Sequence, residues 1–562
     1  MGDVFEYLVD GTSGLAPGGV EGAAIVCGVC SLGDVGKGYL LGKSSDLEGI
    51  LGVGPLVDRV MDVFAAGGQN PVVIAVPVAG QDGGYITALE HTGTGPEASL
   101  SGVPAGNADV VVEIVLGGAL GVATYKLSED GGQNFSADTA TPADGQIAVG
   151  ATGVTITLGG GSDQVAADQF TFNVRTAIGP VTKTGTGPDV TAAGTVKAAA
   201  SVLLQIVKGG ARNVGTYKLS EDGGDSYGAE KTIPVDGLVL IGSTGVTITV
   251  PDAVDMVAGD TYDFTLNAPV PSITDVMTAL ETPLSLYDVE FIYVVGPSDS
   301  VDWAAMGVKA DELWNLHRPT FFICESRLPW DGETIDEWTA AMVAEKASYS
   351  HRFVSVCAAY GEVTDRTGKR ITRNWAGLLA GRLLSIPVMR AIGRVRDAGI
   401  SQGALPDSFS SAHQQTLEGA GYVTAKHYAG LSSVYWGDAK TLADVTSDYQ
   451  YIEVLRTVFK GVRKARIAAL GSMYDEAGDP LSEGGASGLN FLKAKIENGL
   501  NTMVAAVPQE MAAHVVIIPD GQDIVNNGVA VEMDFIGIPI IRNIKLFASY
   551  KYAGSGFDPR LK

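Results

Sequence analysis

Thr124-Tyr125-Lys126-Leu127-Ser128-Glu129-Asp130-Gly131-Gly132 returns unchanged as Thr216 through Gly224, an offset of 92 residues. The same offset carries Thr92-Gly93-Thr94-Gly95-Pro96 onto Thr184 through Pro188, and Thr152 through Thr157 onto Thr244 through Thr249. It also places Asp168, Phe170 and Phe172 on Asp260, Tyr262 and Phe264 without a gap. Self-similarity at a fixed period marks a repeated unit, so two copies of one module are expected, roughly over 92–177 and 184–268. Each copy alternates in apolar character and carries frequent turn signals, as in a small β-sandwich or barrel. Val154 and Ile156, and again Val246 and Ile248, alternate with threonines as half-buried strands do.

The duplication divides the 562 residues into a head, two modules and a long body. In the head, the apolar stretch 23–30 reads as a strand. Ser45-Asp46-Leu47-Glu48 reads as a capping box opening a short helix. Pro55 suits the first turn of a second helix that Gly67-Gly68 ends. Residues 71–78 form a continuous apolar run, as in a strand covered on both faces. In the body, strands over 291–297, 321–324 and 353–357 alternate with helices over 300–316 and 333–349, which implies βαβ units and a largely parallel sheet. A small-residue helix follows over 374–389. The chain closes with a helix over 489–506 and strands over 515–518, 529–535 and 541–552. The expected fold class is multidomain α/β or α+β, an α/β body with two tandem all-β modules inserted. The expected divisions are an N-terminal arm (1–22), the first part of the body (23–90), the modules (91–180 and 181–269), the main body (270–480) and a C-terminal domain (481–562).

The net charge of −26 argues against a nucleic-acid binder, whose phosphate contacts need clustered cations. The charge is uneven. Residues 92–268 hold eight basic and nineteen acidic side chains, while 366–396 holds eight basic and no acidic ones. Complementary patches of this kind suit self-association. Four cysteines do not make a disulfide framework. Cys27 and Cys30 sit three apart on a strand, facing opposite sides, with no second pair to complete a zinc site. The N-terminal residues show no signal-peptide pattern, and no apolar run approaches a membrane span.

Catalytic constellations are missing. Gly42-Lys43-Ser44 lacks the phosphate-loop glycine five residues earlier, where Lys37 stands. Glu129/Asp130 and Glu221/Asp222 supply too few oxygens for a calcium loop. No Gly-x-Ser-x-Gly elbow or His-Glu-x-x-His occurs, and His91, His317, His351, His413, His427 and His514 are scattered. No catalytic, cofactor-binding or metal-binding residue is expected, no cofactor, and no enzymatic activity.

The order of signals in the head, with Gly33-Asp34-Val35-Gly36-Lys37, Ser45-Asp46-Leu47 and Phe64-Ala65-Ala66-Gly67-Gly68 before a Val-rich strand, resembles the contractile tail-sheath family. Pro77 stands where the family's last head strand carries arginine. In the body, Asp365-Arg366-Thr367-Gly368-Lys369 followed by Ala376-Gly377 and Ala380-Gly381 is similar to the same family. So is Tyr435-Trp436-Gly437-Asp438-Ala439-Lys440-Thr441-Leu442 with Tyr449-Gln450-Tyr451-Ile452-Glu453-Val454-Leu455-Arg456. The last block opens a helix whose basic side would hold Arg456, Lys460, Arg463, Lys464 and Arg466.

The resemblance covers head and body but not the modules. It implies a homo-oligomer of helically stacked rings around a tail tube protein, with baseplate and tail terminator proteins as partners. It implies no direct nucleic-acid contact, no membrane insertion, and a place in the virion tail after assembly in the host cytoplasm. It also implies that the terminal arms, here 4–9 and 541–552, add as strands to neighbouring subunits. Two other readings stand beside it. One is an adhesion protein with tandem carbohydrate-binding modules, which predicts a secretion signal. The other is an α/β hydrolase with accessory modules, which predicts a catalytic motif.

Overall fold

The computed structural model describes residues 20–252, 254–365, 368–477 and 487–550. The strand expected over 4–9 lies outside the described residues. The described chain falls into two compact units, one ending at Arg463 and one beginning at Lys464.

The first unit is built on a six-stranded sheet in the order Tyr39–Leu41, Val72–Pro77, Ala23–Gly28, Phe291–Pro297, Phe321–Glu325, Val354–Cys357. All neighbours run parallel except the first pair. Ile25 lies in register with Ile74 on one side and Ile292 on the other. Strands from the two ends of the unit therefore share one sheet. Helices shield it from water, which explains why Ala23–Gly28 and Phe321–Glu325 are buried at every position.

Helix Pro55–Ala66 begins with its proline at the first position, as expected. It packs on helix Ala376–Ser385 at close range: a Cβ at Gly377 would stand 2.8 Å from the Asp62 Cβ, and one at Gly381 would stand 2.5 Å from the Val63 carbonyl oxygen. The Ala-Gly spacing of the second helix is what admits this contact. The capping box expected from Ser45 does not form. Asp46 is the N-cap instead, its Oδ1 accepting from Gly49 N at 3.0 Å, while Ser45 Oγ accepts from Gly42 N at 3.1 Å. The carboxylate, one residue further along, takes the cap, and the hydroxyl closes the preceding turn. Thr334 and Glu337 do form a capping box at helix Ile335–Ala347.

Between Val72–Pro77 and Phe291–Pro297 the chain departs at Gln81 and returns at Val270, where the two backbones exchange hydrogen bonds of 2.7 and 3.1 Å. In the first excursion, strands Glu90–Thr92, Gln169–Arg175, Ala108–Leu116, Thr124–Ser128 and Thr139–Ala140 form one sheet. It faces Gln146–Val149, Val154–Leu158 and Ala98–Gly102. In the second, Thr182–Thr184, Thr261–Leu266, Ala200–Lys208, Thr216–Ser220 and Lys231–Thr232 face Leu238–Leu240, Val246–Thr249 and Thr191–Gly194 in the same order. A register shift recurs at the same place, after Ile114 and after Ile206. Each sandwich has its own apolar core, Ile114, Ile156 and Phe170 in one, Ile206, Ile248 and Tyr262 in the other. The turns at Asp130 and Asp222 need their glycines, whose φ values are 72° and 87° in the first and 74° and 103° in the second.

Candidate assembly interface

The unit from Lys464 onward is small. Helix Ser487–Val504 presents Ile496, Leu500 and Met503 to a two-stranded antiparallel sheet, Ala513–Ile517 with Glu532–Ile536. Val516 lies opposite Met533 and His514 opposite Phe535, and Val516, Met533 and Phe535 belong to the core on the helix. Val515, Ile517 and Ile536 point the other way and are exposed. Among the described residues each strand pairs only with the other, so each has an outer edge of unpaired backbone. Two strands alone are marginal in water, and apolar edges invite a further strand.

The strand expected over 541–552 does not form within 541–550, and residues 551 and 552 lie outside the described residues. Alternation marks a segment fit for a ladder, but a strand needs a partner's backbone groups. Here Ile544 and Leu546 stand 75% and 89% exposed and Phe547 94% exposed, which water disfavours.

The basic stretch 366–396 is not the surface patch that its composition suggests. Arg373 meets Asp62 at 2.5 Å with both side chains buried, and Lys369 meets Glu221 at 2.7 Å. Arg382, Arg390 and Arg394 converge on Asp397 at 2.9, 3.6 and 3.0 Å. That acid stands one residue beyond the stretch, and the others come from distant segments. Helix Ile452–Leu470 likewise turns Arg456 and Arg463 inward rather than onto a basic outer side. Arg456 Nε donates to Glu290 at 2.5 Å, and its Nη2 donates to the carbonyls of Leu383 and Ile386 at 2.9 and 3.3 Å. Arg463 donates to the carbonyls of Val289 and Pro319, and burial lowers its pKa.

A third buried network was invisible in sequence because Arg59 and Glu325 are 266 residues apart. Arg59 grips Glu325 through two bonds of 2.7 and 3.0 Å, and the Tyr293 hydroxyl donates to the same carboxylate at 2.5 Å. Burial, reinforced by Glu325, pushes the Tyr293 phenol well above its ordinary range. Burial also raises Asp62, against the pull of Arg373 and Arg59. The one sequence signal was an arginine among the buried apolar residues Leu56, Val57 and Val60 of helix Pro55–Ala66.

His91 stacks on Phe170 and contacts Asp168 at 3.3 Å, His351 pairs with Asp311, and His413 pairs with Asp336. Burial raises Cys27 to about 12 and Cys30 to about 11, so neither is a ready thiolate. Among the described residues no three His, Cys, Asp or Glu side chains are placed to hold a metal ion, and no helix is long and apolar enough to cross a membrane. Asp130 is held down at about 2 by bonds from Asn134 and Ser128, all within its own turn.

A family model described as DUF2586, N-terminal domain, matches residues 1–440, and one described as DUF2586, C-terminal domain, matches residues 448–555. The chain is 34% identical over 199 residues to a protein of Haemophilus phage HP1 (strain HP1c1) provisionally named tail sheath protein; the match covers 32% of this chain and 49% of that one. The chain thus spans about half the length of this relative. Among solved structures, the sheath tail protein of Desulfitobacterium hafniense aligns with a TM-score of 0.41 at 10% identity, over 95% of this chain and all of that one. The sheath tail protein of Listeria innocua aligns with a TM-score of 0.40 at 9% identity, over 93% and 96%. The contracted sheath complex of PVC, an extracellular contractile injection system, aligns with a TM-score of 0.38 at 16% identity, over 50% and 76%.

Proposed function

The chain belongs to the DUF2586 family and resembles tail sheath proteins, and on that premise we propose that it is the structural subunit of a contractile tail sheath. Subunits stack as rings around a tail tube protein, between baseplate and terminator proteins. They assemble in the host cytoplasm and end in the virion tail. A trigger at the baseplate lets the rings rotate into a tighter lattice and drives the tube through the target envelope. The work is mechanical, with no reaction catalysed and no cofactor.

The observation that carries this reading is the pairing of supply and demand in the C-terminal unit. It offers a two-stranded sheet with outer edges, followed in the chain by a segment with exposed Ile544, Leu546 and Phe547 that alternates but forms no ladder among the described residues. Arms inserted as strands into neighbouring sheets would satisfy both. The rings stay linked while the bodies move. The two sandwiches, assigned to 91–180 and 181–269, are modules inserted in one loop of the body (23–90 and 270–480) and decorate the outside. The arm 1–22 is the second connector, and 481–562 faces the tube.

Negative-stain microscopy and sedimentation of the full chain, beside a variant ending at Gly537, test the proposal. The full chain should form rings or tubes. The shortened one should keep its circular dichroism and remain unlinked. Equal polymerisation of both would remove the arm as connector and, with it, the mechanism proposed here.

A further inference from the structure

The second sandwich rests on the body over a cavity of about 520 Å³. Its floor is the carboxyl ends of strands Phe291–Pro297 and Phe321–Glu325, with Arg59, Arg327 and Asn374; its roof is Ser201, Glu221 and Asp222. Two of the lining cations are committed to buried carboxylates, Arg59 to Glu325 and Arg327 to Glu333. What needs explaining is the closure. The apolar core of the second sandwich and that of the body share no residue. Glu221 and Lys369 join the two across the cavity rim at 2.7 Å, and the Lys197 carbonyl lies against Gly54. Interfaces held by polar contacts rather than by a shared core move readily.

The connections of this sandwich to the rest of the chain lie side by side. Asn267 N donates to the Ala177 carbonyl at 2.8 Å, and Gly179 N to that of Thr265 at 2.9 Å. Asn267 Nδ2 donates to the Thr176 carbonyl at 3.1 Å. Entry and exit at one place make a hinge. The copy relationship sharpens the point. Glu129 is the counterpart of Glu221 in an unchanged nine-residue stretch, yet among the described residues a lysine of the body pairs with Glu221 and none with Glu129.

We propose that the second sandwich is a hinged lid, turning about the paired connections near 176–179 and 265–267 and latched shut by Glu221–Lys369. Opening would uncover the strand ends and the Arg59–Glu325 pair to water. The proposal concerns the single chain and does not depend on the sheath reading.

Hydrogen exchange on the purified full chain tests it. Glu221→Lys should speed exchange over 325–330 and 371–374 by about fivefold, the size expected of one partly exposed ion pair. The reversed pair, Glu221→Lys with Lys369→Glu, should restore the wild-type rate. Salt at about 1 M should mimic the single variant. Protection over 202–206, inside the sandwich, should stay unchanged. If it falls in Glu221→Lys, that variant has loosened the sandwich itself, and Lys369→Glu, which leaves the sandwich sequence intact, decides. Unchanged exchange over the floor in Lys369→Glu and in high salt would overturn the latch.

Discussion

Arg456 offers the sharpest test of the packing. Its side chain and that of Glu290 are each 2% exposed. Its guanidinium serves three acceptors at once: the Glu290 carboxylate and the carbonyls of Leu383 and Ile386, where helix Ala376–Ser385 ends. Glu290 in turn accepts from Gly22 N at 3.1 Å. Removing one partner of a buried pair costs about 3–5 kcal/mol, because the other charge stays behind without compensation. Two carbonyls that lose charged donors raise this toward about 5 kcal/mol, the terms not being additive. Arg456→Ala should therefore lose about 5 kcal/mol in urea denaturation followed by the fluorescence of buried Trp303 and Trp375. Glu290→Gln should lose less, since the amide still accepts. Arg456→Lys should fall between, since an ammonium can meet Glu290 but cannot fork to both carbonyls. A double-mutant cycle should return a coupling of about 3 kcal/mol. A loss below about 1 kcal/mol for Arg456→Ala would mean that the arginine is solvated, and that the helix turns its basic side outward after all.

Joining Gln81 to Val270 through an Asn-Gly turn, with 82–269 removed, should leave the six-stranded sheet folded, because the two backbones already pair there and the sandwich cores are separate; loss of cooperative unfolding would contradict the insertion reading. Asp302 should titrate near 6, raised by burial from 3.8. Its contribution to stability is therefore present below the unfolded value and lost as pH rises through about 6. Asp302→Asn should gain on the wild type by roughly 1 kcal/mol between about pH 4 and 7.5, after discounting for partial exposure; a pH-independent difference in urea midpoints would refute this. Phe547→Pro should leave the circular dichroism of the chain unchanged, since 541–550 makes no strand here, yet weaken polymerisation measured by sedimentation.

Much of the fold could be read because its signals are local. The continuous apolar runs at 23–28 and 291–295 announced two-faced strands, and Pro55 and Gly67-Gly68 bounded a helix at its true ends. The repeat is visible in the strand order, which recurs in the two copies. Ser45 was misread because a capping box and a simple Asp cap share the same four letters, and only geometry chooses between them. The charge map failed for a different reason. Counting basic residues along 366–396 cannot see that Asp62 and Glu221 arrive from distant segments to neutralise two of them. Long-range pairs are the part of a fold that composition does not encode.

The same limit applies, with the opposite sign, to the end of the chain. The alternation over 541–550 was legible as a strand, and the isolated chain does not make one. A buried cation read as exposed shows the fold supplying a partner that the sequence hid. A segment that alternates yet forms no ladder among the described residues shows a pattern fit for a strand without the strand. The backbone groups and apolar side chains of that segment are costly in water and inexpensive in a ladder. Among the described residues, Ala513–Ile517 and Glu532–Ile536 pair only with each other and leave edges that such a ladder would fill. An arm of this kind reaching its own sheet would close the unit as a monomer, and one reaching a neighbour's would link a chain of subunits. Mixing wild-type protein with the variant ending at Gly537 separates these. Linkage between molecules predicts that the shortened chain, which keeps its edges but lacks an arm, caps growing polymers and shortens them in proportion to its fraction. Polymer length independent of that fraction would place the arm on its own sheet.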